Sequence, residues 1–257
     1  MFGQLDRQGV VGLLNELDRQ DTKRTLFGSI GHQYKLRPPL PGSVIDAFER
    51  QHGVALPQDY KFFITEIGDG GAGPYYGVFP FGRHDDGYDY CVWERGHLVG
   101  DLSKPFPHVT DWNLPESFWE NQPDPAPDTP IEVEDRLMEA WDNELEEKYW
   151  NPSLVNGAIP ICHLGCARRQ WLVINGEQRG YVWGDDRVDN WGLHPIRDEA
   201  GGGMTFSAWY TSWLYDALRK AGSSPTGKSK YALPLFRRGE CRLPKRLVES
   251  LLGPSLG

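Results

Sequence analysis

The chain has 257 residues, 39% of them hydrophobic and 12% aromatic, with ten tryptophans, enough for one large packed core or two small ones. Its net charge of −9 disfavours nonspecific nucleic-acid binding, and no apolar run approaches the roughly 18 residues needed to span a bilayer. No charged leader precedes an apolar run and the four cysteines, Cys91, Cys162, Cys166 and Cys241, are too scattered for a disulfide framework, so a cytosolic protein with reduced thiols is expected.

Residues 1–26 read as a short helix carrying Leu5, Leu13, Leu14 and Leu17, followed by the start of an arm. The stretch TLFGSIGHQYKLRPPLPGS holds too many Gly and Pro for helix or central strand, so it should cross the surface as an extended arm held by its aromatics. Ser43 offers an N-cap to a helix that stops at Gly53. Pro57 suits the first position of the next helix, in which Tyr60, Phe63, Ile64 and Ile67 share one face. Gly68, Gly70, Gly71 and Gly73 let the chain leave that helix sharply, and Tyr75, Tyr76, Val78, Phe79 and Phe81 are expected to enter a sheet.

The middle is acidic: residues 85–148 hold 18 Asp and Glu against 4 Lys and Arg, whereas residues 219–257 hold 9 basic residues against 2 acidic ones. Six prolines between residues 101 and 128 make an irregular excursion that wraps the surface, with Phe106, Trp112, Phe118 and Trp119 as apolar anchors. Thr129 and Pro130 then open a helix whose Leu137, Trp141, Leu145 and Tyr149 form a narrow stripe for packing on the sheet. Short β-rich runs follow at 158–162, 171–174 and 180–183, with Asn175-Gly176 and Gly180 as hairpin residues and 191–196 as a further strand. Thr205 caps a last helix with Phe206, Trp209, Trp213, Leu214, Ala217 and Leu218 on its apolar face. Residues 221–257 read as a linker and a basic tail. The fold class expected is α+β, one body over residues 27–220 with a mostly antiparallel sheet and the excursion and its helix at about 101–150.

These residues carry a resemblance. Phe48 and Glu49, the hinge Val54, Leu56 and Pro57, then Tyr60, Phe62, Phe63, Gly68, Gly70 and Gly71 resemble the SUKH superfamily in its Smi/Knr branch. Phe27-Gly28, His32, Tyr34, Pro38, Pro39 and GAGPYYGVFPFG from Gly71 resemble a bacterial subgroup of it, as do GAIPICHLG, WLVINGEQRGYVWGD and TFSAWYTSWL, so the likeness runs from about Phe27 to about Arg219. It implies an α+β protein without a catalytic centre, of the kind linked to immunity against polymorphic toxins or to regulatory interactions.

Read alone, the chemical motifs are weak. GDGGAG follows a helix instead of opening one and lacks a following Lys-Ser/Thr, unlike a phosphate loop. Cys162, His163 and Cys166 lack a second ligand pair at zinc spacing, and no Gly-x-Ser-x-Gly elbow occurs. No metal or other cofactor is expected. Asp85, Asp86 and Asp89 beside His84, and Asp185, Asp186 and Asp189 after the strand ending at Trp183, read as solvated polar turns. With Tyr75 and Tyr76 as anchors they form a candidate partner-binding surface, a negative rim for a basic toxin domain, unless those two rings pack under the glycine turn. The leading expectation is an immunity-type protein acting by stoichiometric binding, with a regulatory or scaffolding module second and an enzyme third. No nucleic acid and no membrane are expected as partners.

Overall fold

The computed structural model describes residues 5–82 and 99–222. Their architecture is α+β: seven α-helices and one four-stranded sheet among the described residues. Strands β1 (Ala158–Gly165), β2 (Arg168–Val173), β3 (Val182–Asp185) and β4 (Leu193–Pro195) pair antiparallel in chain order. The β2–β3 link turns through Gly176 and Gly180, both at positive φ, as Asn-Gly chemistry requires.

Strand alternation sorts the core onto two faces. Ile159, Leu172, Ile174 and Val182 join the larger cluster, while Ala158, Trp171, Val173 and Trp183 join a second one. Helices cover the first face. Helix α1 (Arg7–Gln20) is capped by Asp6, whose carboxylate accepts from Gly9 N at 2.7 Å, and buries Val10, Leu14 and Leu17. After α2 (Ser29–His32) and α3 (Gly42–His52), helix α4 (Gln58–Phe62) passes straight into a π-helical turn over Phe63–Ile67. That turn keeps Phe63, Ile64 and Ile67 all buried. The proline-rich excursion covers the other face instead of merely wrapping the surface. Phe106 N donates to Asn175 O at 2.9 Å and its ring meets Trp183 edge-on at 4.8 Å, while Trp112 and Leu193 exchange two backbone hydrogen bonds of 2.8 Å.

Several expectations need correction. Pro41 and Pro130, not Ser43 and Thr129, sit at the N-cap positions of α3 and of helix α6 (Ile131–Lys148), which follows the short α5 (Glu116–Trp119), and neither N-cap has a side-chain hydrogen bond. Pro57 likewise precedes α4 instead of opening it. The arm is not wholly extended, since α2 lies within it and Tyr34 and Leu40 are buried. Helix α6 does not pack on a sheet face: Trp141, Leu145 and Tyr149 gather with Trp150 against Trp112, Leu114, Phe118 and Trp119 of the excursion and against Ala167 and Val188. Leu137 at the head of its stripe is exposed. The last helix, α7 (Phe206–Gly222), is capped as expected, with Ala208 N donating to Thr205 Oγ1 at 3.3 Å. It packs against α1. The linker and basic tail lie outside the described residues. Among the described residues no helix is long and apolar enough to cross a membrane.

Candidate functional site

The glycine-rich turn after the π-helical segment builds the site. Gly68 N closes the π turn on Phe63 O at 2.9 Å, and the buried Asp69 carboxylate then accepts from Phe81 N at 2.7 Å, fixing both ends of the intervening loop. Gly71 has φ 102, and a Cβ there would lie 2.4 Å from Lys35 O, so only glycine permits the approach. The expected entry of residues 75–81 into the sheet is not what forms. A ribbon of single bridges forms instead: Ala72 N to Lys35 O at 2.7 Å, Arg37 N to Gly70 O at 3.1 Å, paired bonds between Gly71 and Val78, and Phe79 N to Ile161 O at 2.8 Å beside β1. Repeated positive-φ glycines keep each segment too short for a strand.

Tyr76 stands out from this ribbon, 44% exposed, its ring stacked on His163 at 4.5 Å and 8°. Phe27, 59% exposed, meets the Tyr76 ring at 5.1 Å, and Ile30 on α2 is 76% exposed. The two loops are in close backbone contact. Gly28 has φ 80, and a Cβ on it would fall 1.5 Å from Tyr75 O, so the two backbones touch. Tyr75 itself holds φ 53, an uncommon and strained conformation for a bulky side chain. Its ring is half-buried against Phe27 and the core, and burial raises its pKa, with Cys162, Arg168 and Asp186 in electrostatic range. Tyr75 is therefore largely packing, and Tyr76 is the exposed ring of the two.

His163 reaches Tyr76 because β1 is irregular on both sides of it, with register shifts at 160–162 and 163–165. Burial, aided by Arg169, lowers its pKa to about 4, so the stack is neutral at pH 7. His32 lies behind the ribbon. Tyr34 N donates to its Nδ1 at 3.0 Å, which leaves the proton of the neutral ring on Nε2. That buried Nε2 finds no hydrogen-bond partner, and the ring packs edge-on to Trp213 at 5.9 Å. Burial and the Arg24 charge lower the His32 pKa to about 4.

The acidic candidates divide. Asp185 is a correction: instead of a solvated turn it ends β3 in the interior, 3% exposed. Its carboxylate accepts from Trp171 Nε1 at 3.0 Å and from Arg187 Nε and Nη2 at 2.8 and 2.7 Å, while Arg187 Nη1 donates to Tyr149 O at 2.9 Å. Burial opposes ionisation there, but Arg187 and Trp171 outweigh it and hold the pKa below the usual value. It is a joint between the sheet and the end of α6. Asp186 is a correction too: its side chain is only 13% exposed and is matched by Arg168 Nε at 2.6 Å, while the exposed Asp189 lies 3.5 Å from the same nitrogen. Through Arg168 the structure brings Tyr75 and Asp186 together, and Tyr76 stands on His163 of the same hairpin. Asp85, Asp86 and Asp89 lie outside the described residues.

A groove of about 190 Å³ opens beside this aromatic stack, between Lys35 and Arg37 on the arm and Tyr76, Phe79 and His163. Sequence reasoning did not assign Phe27, Ile30, Lys35 or His163 to the site. Phe27-Gly28 carried the one usable signal, a large apolar residue before a glycine able to turn it outward. Among the described residues no group of three or more His, Cys, Asp or Glu is placed to hold a metal ion. Cys162 is a buried thiol donating to Pro74 O at 3.1 Å. Compared with known proteins, the chain matches no family model, no curated protein and no solved structure.

Proposed function

We propose that this chain is a non-catalytic protein-binding module of the SUKH, Smi/Knr type, acting in the cytosol as an immunity-type protein that neutralises a toxin by stoichiometric binding. The observation that carries the reading is the pair of exposed rings Phe27 and Tyr76, 5.1 Å apart, with Tyr76 stacked on His163. Aromatic anchors fixed before binding lose little entropy when a partner covers them. Holding Tyr75 in a strained conformation to present Tyr76 costs about 1–3 kcal/mol, which supports a role for the loop beyond packing. Acid–base chemistry is a weaker reading, because the histidines near the groove are occupied by ring stacking and by a backbone hydrogen bond. Charge at this surface does not favour a basic partner, since Asp185 is internal and Asp186 is matched by Arg168.

Where a toxin domain is encoded beside the gene, co-expression with it tests the proposal. The wild-type chain should restore growth and co-purify with that domain at one to one. The double variant Phe27→Ala/Tyr76→Ala should lose both while melting within a few degrees of the wild type. Retained protection in that variant would remove those two rings from the mechanism, and a toxin-free neighbourhood with an unrelated stoichiometric partner would favour the regulatory module.

A further inference from the structure

We infer that the basic tail of this same chain, within residues 223–257, docks along the first half of α6 and covers an apolar stripe left open there. Helix α6 is buried only at Trp141 and Leu145, both in its second half, and none of residues 131–140 is buried. The face that Trp141 and Leu145 turn into the satellite cluster nevertheless continues towards the start of the helix. At about 100° per residue, Ile131, Val133, Leu137 and Met138 fall within the same half of it. Ile131 is 60% exposed and Leu137 44%. Ten helical residues with nothing buried are marginal in water, so a cover over this stripe would stabilise them.

Charge identifies the cover. Helix α6 carries 8 Asp and Glu against 2 Lys and Arg. Glu144 meets Lys148 Nζ at 2.7 Å, whereas Glu132, Glu134, Asp135 and Glu139 form no ion pair among the described residues. Residues 223–257 hold 7 Lys and Arg against 2 Glu, and within them Leu243, Leu247, Val248 and Leu251 recur at helical spacing beside Arg242, Lys245 and Arg246. An apolar stripe edged by cations complements one edged by carboxylates. Reach is sufficient: α7 ends at Gly222, and residues 223–242 can span up to about 70 Å, more than the roughly 40 Å across a body of this size. Tethering also holds the segment at an effective concentration on the order of millimolar, so it occupies the stripe ahead of a partner or a second copy at micromolar concentration. This contact is separate from the Phe27–Tyr76 surface and does not depend on its role.

Amide hydrogen exchange on the full chain tests the contact. Leu247→Asp/Leu251→Asp is expected to raise exchange in residues 131–140 at least about fivefold, with β1 and β2 unchanged. Lys245→Glu/Arg246→Glu should do the same, and adding Asp135→Lys/Glu139→Lys to it should bring the exchange back towards the wild-type rate, because the two charges are then swapped. Raising salt should move the wild type in the direction of the charge variant. Thermal melts within a few degrees of the wild type establish that each variant keeps the fold, with Leu247→Ala as the milder substitute where one does not. An approximately fiftyfold dilution should leave the protection unchanged, since a tethered contact does not depend on protein concentration. Protection lost on dilution would assign the stripe to the tail of a second copy and overturn the inference. Unchanged exchange in both tail variants, or a charge swap that restores nothing, would overturn it as well.

Discussion

At Gly28 a methyl group has nowhere to go. Its Cβ would lie 1.5 Å from a backbone oxygen, at a φ of 80 that disfavours any side chain, so Gly28→Ala should cost more than about 2 kcal/mol in urea unfolding. It should also disturb the Phe27–Tyr76 pair. Asp185→Asn is expected to cost about 3–5 kcal/mol, because it leaves the Arg187 guanidinium buried without its counter-charge. A loss below about 1 kcal/mol would mean that the pair is replaceable. His32 gives the stability a pH dependence whose sign follows from its lowered pKa. Between pH 6.5 and about 4 the unfolded chain binds a proton that the folded ring refuses, so stability is full above 6.5 and falls as pH drops towards 4. The full effect is on the order of 3 kcal/mol. His163 acts in the same direction, and urea midpoints measured across this range should flatten in part in His32→Gln and further when His163→Gln is added. Residue identities showed that Tyr76 and Asp186 were polar or aromatic near turns. They did not show that Asp185 points inward, because one residue of strand length separates a solvated turn from the interior.

Helices and the β2–β3 hairpin were legible where a period or a turn pair wrote them: Tyr60, Phe63, Ile64 and Ile67 on one face, and Asn175-Gly176 between strands. The π-helical turn and the irregular β1 were not, since both depend on an extra residue tolerated by tertiary packing. The turning of His163 towards Tyr76 follows from β1, so the centre of the candidate site was hidden at the element scale. Helix α6 belongs to a satellite cluster with the excursion, and its Trp141 is 5% exposed. Trp141→Ala should therefore cost about 3 kcal/mol and raise amide exchange chiefly in α6 and in residues around Phe118, with β1 and β2 protection little changed. Equal loss of protection in the sheet would show that the cluster and the main core open together.

Across the whole molecule, the sheet is covered on one face by helices from both ends of the described chain and on the other by the excursion. Composition made a large core predictable, but not that α1 would share it, because Gly9 and Gly12 weaken its helical signal and its partner α7 lies almost 200 residues away. Leu5, Val10, Leu14 and Leu17 are buried in that core, and four such side chains contribute roughly 6–12 kcal/mol before any relaxation. That is comparable to the roughly 5–15 kcal/mol by which a whole domain is stable. A chain beginning at residue 27 should thus fail to unfold cooperatively, lose its near-ultraviolet circular dichroism and bind a hydrophobic dye, although it retains every residue of the body expected over 27–220. Adding residues 1–26 as a separate peptide should restore some of the native signal, because the exposed face of α7 is the surface they cover. If the shortened chain instead melts sharply near the full-length temperature, α1 is an appendage, and the body expected over residues 27–220 is sufficient by itself.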